Sequence, residues 1–244
     1  MKKQITLAIV VLICWISARS QTSNEPPTTV VETMYILPKR GMDDKFEAAV
    51  KAHDAKFHPE GPYVAGLRKV EYGEKAGWYV WIYGPTDYAS IDKRPAKENG
   101  HADDWDKNVD PLVDQYGATN LWNYNPALSF GYDIFRKSKY YEVWAVDLKM
   151  GQYYRFKALA EKLRKTFDTM GNTAFLVFEN PVHTPKGADV ALLWSFNSYQ
   201  EWDKDSGLKA AYEKIYGNGT WQNMIDDWRD MIVDYNTELR SIVN

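Results

Sequence analysis

The sequence repeats itself. With Val31 set against Tyr141, Glu32 meets Glu142, Lys39 meets Lys149, Gly41 meets Gly151, Phe46 meets Phe156 and Phe57 meets Phe167, all at an offset of 110 residues. The offset carries on through Gly77 with Gly187 and Val80 with Val190, and is one residue longer by Tyr88 with Tyr199. Identities at a near-constant offset, in the order of the expected elements, read as a duplicated unit. A period this long gives two domain-sized units rather than a solenoid, whose repeats run to roughly 20–50 residues.

Each unit reads β-α-β-β-α-β. The first strands are expected at 31–37 and 141–148. Gly41 and Gly151 turn the chain into a helix. Phe46, Ala49, Val50, His53 and Phe57 share one helical face, matched by Phe156, Leu159, Ala160, Leu163 and Phe167. Second strands follow at 66–72 and 174–179. The third, 77–84, sets six β-favouring residues between two glycines with Pro85 behind them, and 190–196 echoes it. Both are apolar throughout, so both of their faces should be covered. Helical pieces are expected at 86–92 and 101–116, and at 197–203 and 221–235, before last strands at 119–124 and 237–243. This order is that of the split βαβ, ferredoxin-like unit. The fold class is therefore α+β: two tandem ferredoxin-like units, 30–130 and 140–244, joined by a linker at 131–139. One unit alone leaves a sheet face bare. Two can close into a single-chain barrel, which also removes exposed strand edges.

Residues 1–20 read as a secretory signal, with basic Lys2 and Lys3, an apolar stretch from Ile5 to Ile16, and small residues at Ala18 and Ser20. Cleavage is expected before Gln21, leaving a polar leader at 21–29. Cys14, the one cysteine, leaves with the signal, so the exported chain relies on its core rather than on disulfides. Loss of Lys2, Lys3 and Arg19 leaves 27 basic against 33 acidic residues, a formal charge of −6. That balance and the lack of a basic stripe argue against a nucleic-acid partner. No other stretch is long and apolar enough for a membrane span, so the expected location is the periplasm or the medium, without stable membrane insertion.

The chemistry is less plainly written. On the third strand, Tyr79, Trp81 and Tyr83 share one face, opposite Trp78, Val80 and Ile82. Packing of the aliphatic face on the helices would turn the aromatic face into the barrel. There it could wall a ligand cavity or simply fill the core. The second unit offers Asp189, Ala191 and Leu193 at the same offset, and Leu163 in place of His53, so a site is expected in the first unit. His101 shares a helical face with Trp105, four residues on. The ligand-binding candidates are thus Tyr79, Trp81, Tyr83, His53, His101 and Trp105. His58 reads as a capping residue and His183 as a loop residue. No HExxH, no histidine pair at i, i+4 and no EF-hand spacing is present, so no metal site is expected. GxGxxG, the P-loop and GxSxG are missing as well.

The strand–glycine–helix openings at 31–57 and 141–167, with the aromatic third strands, resemble the dimeric α+β barrel superfamily, which includes antibiotic-biosynthesis-monooxygenase-like and NIPSNAP-like proteins. The likeness covers nearly all of the chain after the leader. It implies functions from cofactor-free oxygenation of polycyclic phenols to haem binding or degradation and small-molecule binding. The haem-degrading members use an Asn, a Trp and a His. Trp81 and His101 could supply two of these, but the first strands hold no asparagine. The expectation is an exported barrel that binds a small aromatic or hydrophobic molecule. The alternatives are an oxygenase-like or haem-handling enzyme, with His101 as the axial ligand or a proton shuttle, and a non-catalytic barrel with a filled core.

Overall fold

A computed structural model describes residues 28–94, 98–184 and 187–243; the expected signal and the leader up to residue 27 lie outside them. The first half runs β1 (Val30–Pro38), α1 (Asp43–Phe57), β2 (Ala65–Tyr72), β3 (Tyr79–Thr86), α2 (Tyr88–Asp92), α3 (His101–Asn108) and β4 (Val113–Tyr124). After a one-turn α4 (Tyr132–Phe135), the second half runs β5 (Tyr140–Leu148), α5 (Tyr153–Met170), β6 (Phe175–Glu179), β7 (Val190–Phe196), α6 (Leu208–Tyr216), α7 (Thr220–Met231) and β8 (Ile232–Ile242). Gly41 and Gly151 open the two long helices at φ +75° and +78°, a backbone state that a Cβ disfavours. Asp43 and Asp44 sit in the first turn of α1, on the positive end of its dipole.

The eight strands close into an antiparallel barrel in the order β1-β3-β2-β8-β5-β7-β6-β4. Each half contributes the same run, β4-β1-β3-β2 and β8-β5-β7-β6. The halves are sewn together at β2–β8 and β4–β6. Helix α1 packs through Phe46 and Val50 on the first-half sheet. Helices α5, α6 and α7 pack on the second-half sheet through Phe156, Leu159, Phe167, Tyr212, Met224 and Met231.

Two expectations change at element ends, and one helix is new. The helix expected over 101–116 stops at Asn108, because Pro111 cannot continue it, and β4 starts at Val113. The helix expected over 221–235 stops at Met231, where β-branched Ile232 and Val233 begin β8. Helix α6 was not foreseen at all.

A fourth change matters more. Ile36 pairs with Tyr79 and Met34 with Trp81, whereas Val146 pairs with Val190 and Trp144 with Leu192. Since β1 and β5 match at an offset of 110, the true counterparts of Tyr79, Trp81 and Tyr83 are Val190, Leu192 and Trp194. They are not Asp189, Ala191 and Leu193. The extra residue falls before the third strand, not after it, and a one-residue slip moves every side chain to the other face. The aromatic face accordingly points away from the barrel: Tyr79 meets Phe46 of α1 edge-on at 5.1 Å, and the Trp81 indole donates to Asp54 of α1 at 3.0 Å.

Inside the barrel lie Val80, Tyr141, Val143 and Ala191 together with a polar group of three, Tyr35, Glu238 and Arg240. The Tyr35 hydroxyl lies 3.0 Å from both Glu238 carboxylate oxygens, and Arg240 donates to Glu238 and to Tyr35 at 2.7 Å each. The barrel interior is thus occupied by side chains.

Candidate functional sites: a histidine cluster and an aromatic cleft

The first site forms where α1 ends. His53 lies on the buried face of α1, in line with Phe46 and Val50. His58 follows the last turn, its backbone N–H capping Asp54 O at 2.8 Å. That bend turns its ring back over the sheet, where it meets Trp81 at 5.3 Å. Across from them, Gly100 at φ +74° opens α3, and His101 is its first residue. Asp104 and Trp105, one turn on, share the face of His101 that looks at α1.

The three imidazoles converge. His101 Nε2 lies 3.2 Å from His53 Nε2 and 2.9 Å from His58 Nε2. Their other nitrogens are held from behind: His53 Nδ1 faces Asp104 Oδ2 at 2.9 Å, and His58 Nδ1 faces the Tyr63 carbonyl at 2.7 Å. Lys56 meets the second oxygen of Asp104 at 3.2 Å. The hydrogen bond from His53 pulls the Asp104 carboxyl below its usual range. Burial lowers His58 to about 4 and lowers His101 below its ordinary value as well. Trp105 stands edge-on to His53 at 5.0 Å, and Trp81 lies 5.6 Å from Trp105. Arg94 caps the group: its guanidinium lies 4.1 Å over the Tyr83 ring and pairs with Glu32 at 3.1 Å.

Of the six residues picked out from the sequence, Trp81, Tyr83, His53, His101 and Trp105 gather here. Tyr79 stands apart, donating to Glu47 at 2.5 Å. The histidine missed was His58. Its spacing of five from His53 places it off the helical face, and only the turn after Phe57 brings it back. His183 pairs with Asp189 at 2.6 Å, far along the chain from this cluster.

The second site is a cleft in the other half. Where Trp81, His58, His101 and Trp105 fill the space between sheet and helices in the first half, the second half leaves a cavity of about 650 Å³. Its walls are Leu159, Leu163 and Phe167 of α5, Trp221, Ile225 and Trp228 of α7, and Trp144, Leu192 and Trp194 of the sheet. Smaller Leu192 in place of Trp81 is part of the reason for the space. Both indoles of the floor donate to one carboxylate, Trp144 to Glu142 Oε1 at 2.8 Å and Trp194 to Glu142 Oε2 at 2.7 Å. Glu142 thereby fixes the two rings. Polar Gln200, Lys204 and Asp205 also border the cavity.

No family model matches the sequence, and no curated protein matches it. Solved structures do match in fold. A monooxygenase-like protein from Fusobacterium nucleatum superposes with a TM-score of 0.59 at 12% identity, over 89% of this chain and 94% of that one. A variant of chlorite dismutase from Candidatus Nitrospira defluvii gives 0.55 at 9% identity, over 89% and 92%. An anthrone oxidase-like protein gives 0.52 at 14% identity, over 90% and 93%. The chain therefore shares the α+β barrel fold of these proteins; at such identities the likeness establishes the fold alone.

Haem, the one cofactor the family resemblance brings into view, does not fit the residues present. Among the described residues, the cleft lining holds no histidine, cysteine or tyrosine, and its sulfur atoms belong to Met170 and Met224. Methionine serves haem iron as a partner to histidine. His101, the expected axial ligand, turns its Nε2 to two other imidazoles in the opposite half.

Proposed function

We propose that the protein is an exported, oxygenase-like α+β barrel that takes a flat, mostly apolar small molecule into the second-half cleft. The observation that carries this reading is the cleft, whose volume of about 650 Å³ falls within the roughly 300–1,000 Å³ usual for ligand pockets. Its walls are apolar and rich in indole, which suits stacking on a planar ring system. The polar side chains that border it, Gln200, Lys204 and Asp205 among them, could orient a phenol or ketone oxygen. The oxygenase-like part rests on the monooxygenase-like and anthrone oxidase-like neighbours, the latter pointing to fused-ring substrates. Export rests on residues 1–20, and the exported form should read from Gln21 on N-terminal sequencing. The shared strand order of the halves supports descent from one duplicated unit.

A calorimetric titration with a hydroxyanthracene, run beside an oxygen electrode, tests the reading. Saturable binding at one molecule per chain is expected, with oxygen consumed. Leu163→Trp, which fills the cleft, should weaken binding at least about tenfold, or about 1.4 kcal/mol, and leave the melting temperature in place. Absent binding, or equal binding by the filled variant, would remove the cleft from the function. Binding without oxygen uptake would leave a binding protein and remove the oxygenase.

A further inference from the structure

We propose that His53, His58 and His101 form a binding site for a divalent first-row transition ion of the zinc type, with three imidazole nitrogens as ligands and a fourth place left for water. The site lies in the half opposite the cleft, so it stands or falls independently of the ligand reading.

Proton accounting leads to it. The Tyr63 carbonyl can only accept, so His58 Nδ1 must carry a hydrogen; the Asp104 carboxylate imposes the same on His53 Nδ1. An imidazole whose one hydrogen sits on Nδ1 presents Nε2 as a bare lone pair, on His53 as on His58. Both are aimed at the same atom, His101 Nε2, at 3.2 and 2.9 Å. That atom carries at most one hydrogen, which can point at one of the two. The other contact sets lone pair against lone pair. One cation at the meeting point satisfies all three nitrogens at once.

The geometry suits such an ion. The three ligand atoms lie within 4.8 Å of one another. Tetrahedral zinc with bonds of about 2.0–2.1 Å needs its nitrogens about 3.3 Å apart, close to the two contacts seen. The supporting contacts suit it as well. A metal-bound histidine usually gives its second N–H to a carboxylate or a backbone carbonyl, which fixes tautomer and ring orientation. His53 has the carboxylate, Asp104, and His58 has the carbonyl, Tyr63. An all-imidazole set favours zinc, copper, nickel or cobalt over magnesium and calcium, which prefer oxygen. Trp81 and Trp105 wall the cluster and keep the rings in place. The pattern is missing from the second half, where Leu163 stands for His53.

The test uses the tag-free protein, stripped with a chelator and titrated with zinc chloride by calorimetry and with cobalt chloride by visible absorption. One ion per chain is expected, with the intense d–d bands of tetrahedral cobalt displaced by zinc. His101→Ala should weaken zinc binding by about 100-fold or more. Asp104→Asn, which touches no ion, should weaken it about 10- to 100-fold. His183→Ala, at the pair with Asp189, should bind as the parent does. Parent protein that takes up no stoichiometric zinc and shows no tetrahedral cobalt spectrum would overturn the site, whatever the variants do. So would a folded His101→Ala that binds like the parent.

Discussion

Arg240→Leu is expected to lower the unfolding free energy by about 3–5 kcal/mol, the usual result of stripping one partner from a buried ion pair. Arg240 and Glu238 are 7% and 6% exposed, shut inside the barrel with Tyr35. Arg240 donates to Glu238 through Nε at 2.9 Å and Nη2 at 2.7 Å. Without it the carboxylate keeps only the Tyr35 hydroxyl. The double variant Arg240→Leu/Glu238→Leu should recover most of the loss, because replacing both ions by apolar groups of similar size is often neutral or better. Urea unfolding at neutral pH measures both. A single-variant loss under about 1 kcal/mol, the scale of exposed pairs, would mean that water reaches the carboxylate and that the interior is wetter than described.

Trp81→Ala is expected to cost about 3–5 kcal/mol, the range for emptying a packed aromatic site. The ring touches His58, Tyr83 and Trp105, and its N–H is the donor that offsets the burial of Asp54. Burial raises the Asp54 carboxyl, and losing the indole would raise it further. Leu192→Ala, at the matching position of the second half, should cost about 2 kcal/mol, the low end for such truncations. Leu192 borders the open cleft, so the lost methyl groups leave space that was already partly empty. Chemical unfolding with chelator present separates this packing effect from any bound ion. Equal losses at the two positions would contradict a filled first half and a hollow second half.

Much of the fold was legible because it is written in periods. The helical faces around Phe46 and Phe156, the turn glycines Gly41 and Gly151, and the third strand of the second half stand at their expected places, while β3 runs on through Gly84 and Pro85, which were expected to end it. The register was not legible. Matching Gly77 with Gly187 put the inserted residue after the third strand, and β-pairing puts it before. That single residue reversed the expected direction of Tyr79, Trp81 and Tyr83. It also moved the expected cavity from the barrel interior to the space between sheet and helices, and the larger opening to the second half. The histidine cluster was half visible: His53 and His101 carried a signal because each broke an apolar or aromatic face. His58 did not, since its position depends on how the chain leaves α1, which helical spacing does not encode. Glu142 was visible only as the repeat partner of Glu32; its two indole donors come from Trp144 and from Trp194 on another strand, a pairing no sequence spacing encodes.

The two seams of the barrel bear on cooperativity. Strands β2 and β4, at the edges of the first-half run, find their outer partners in β8 and β6 of the second. Asn125 and Phe130, in the chain between the halves, also hydrogen-bond to Val177 and Phe175 of β6. Neither half can melt without stripping backbone partners from the other. Two units in sequence are thus one unit in thermodynamics: a single transition in which damage at Arg240 or Trp81 is felt by the whole molecule.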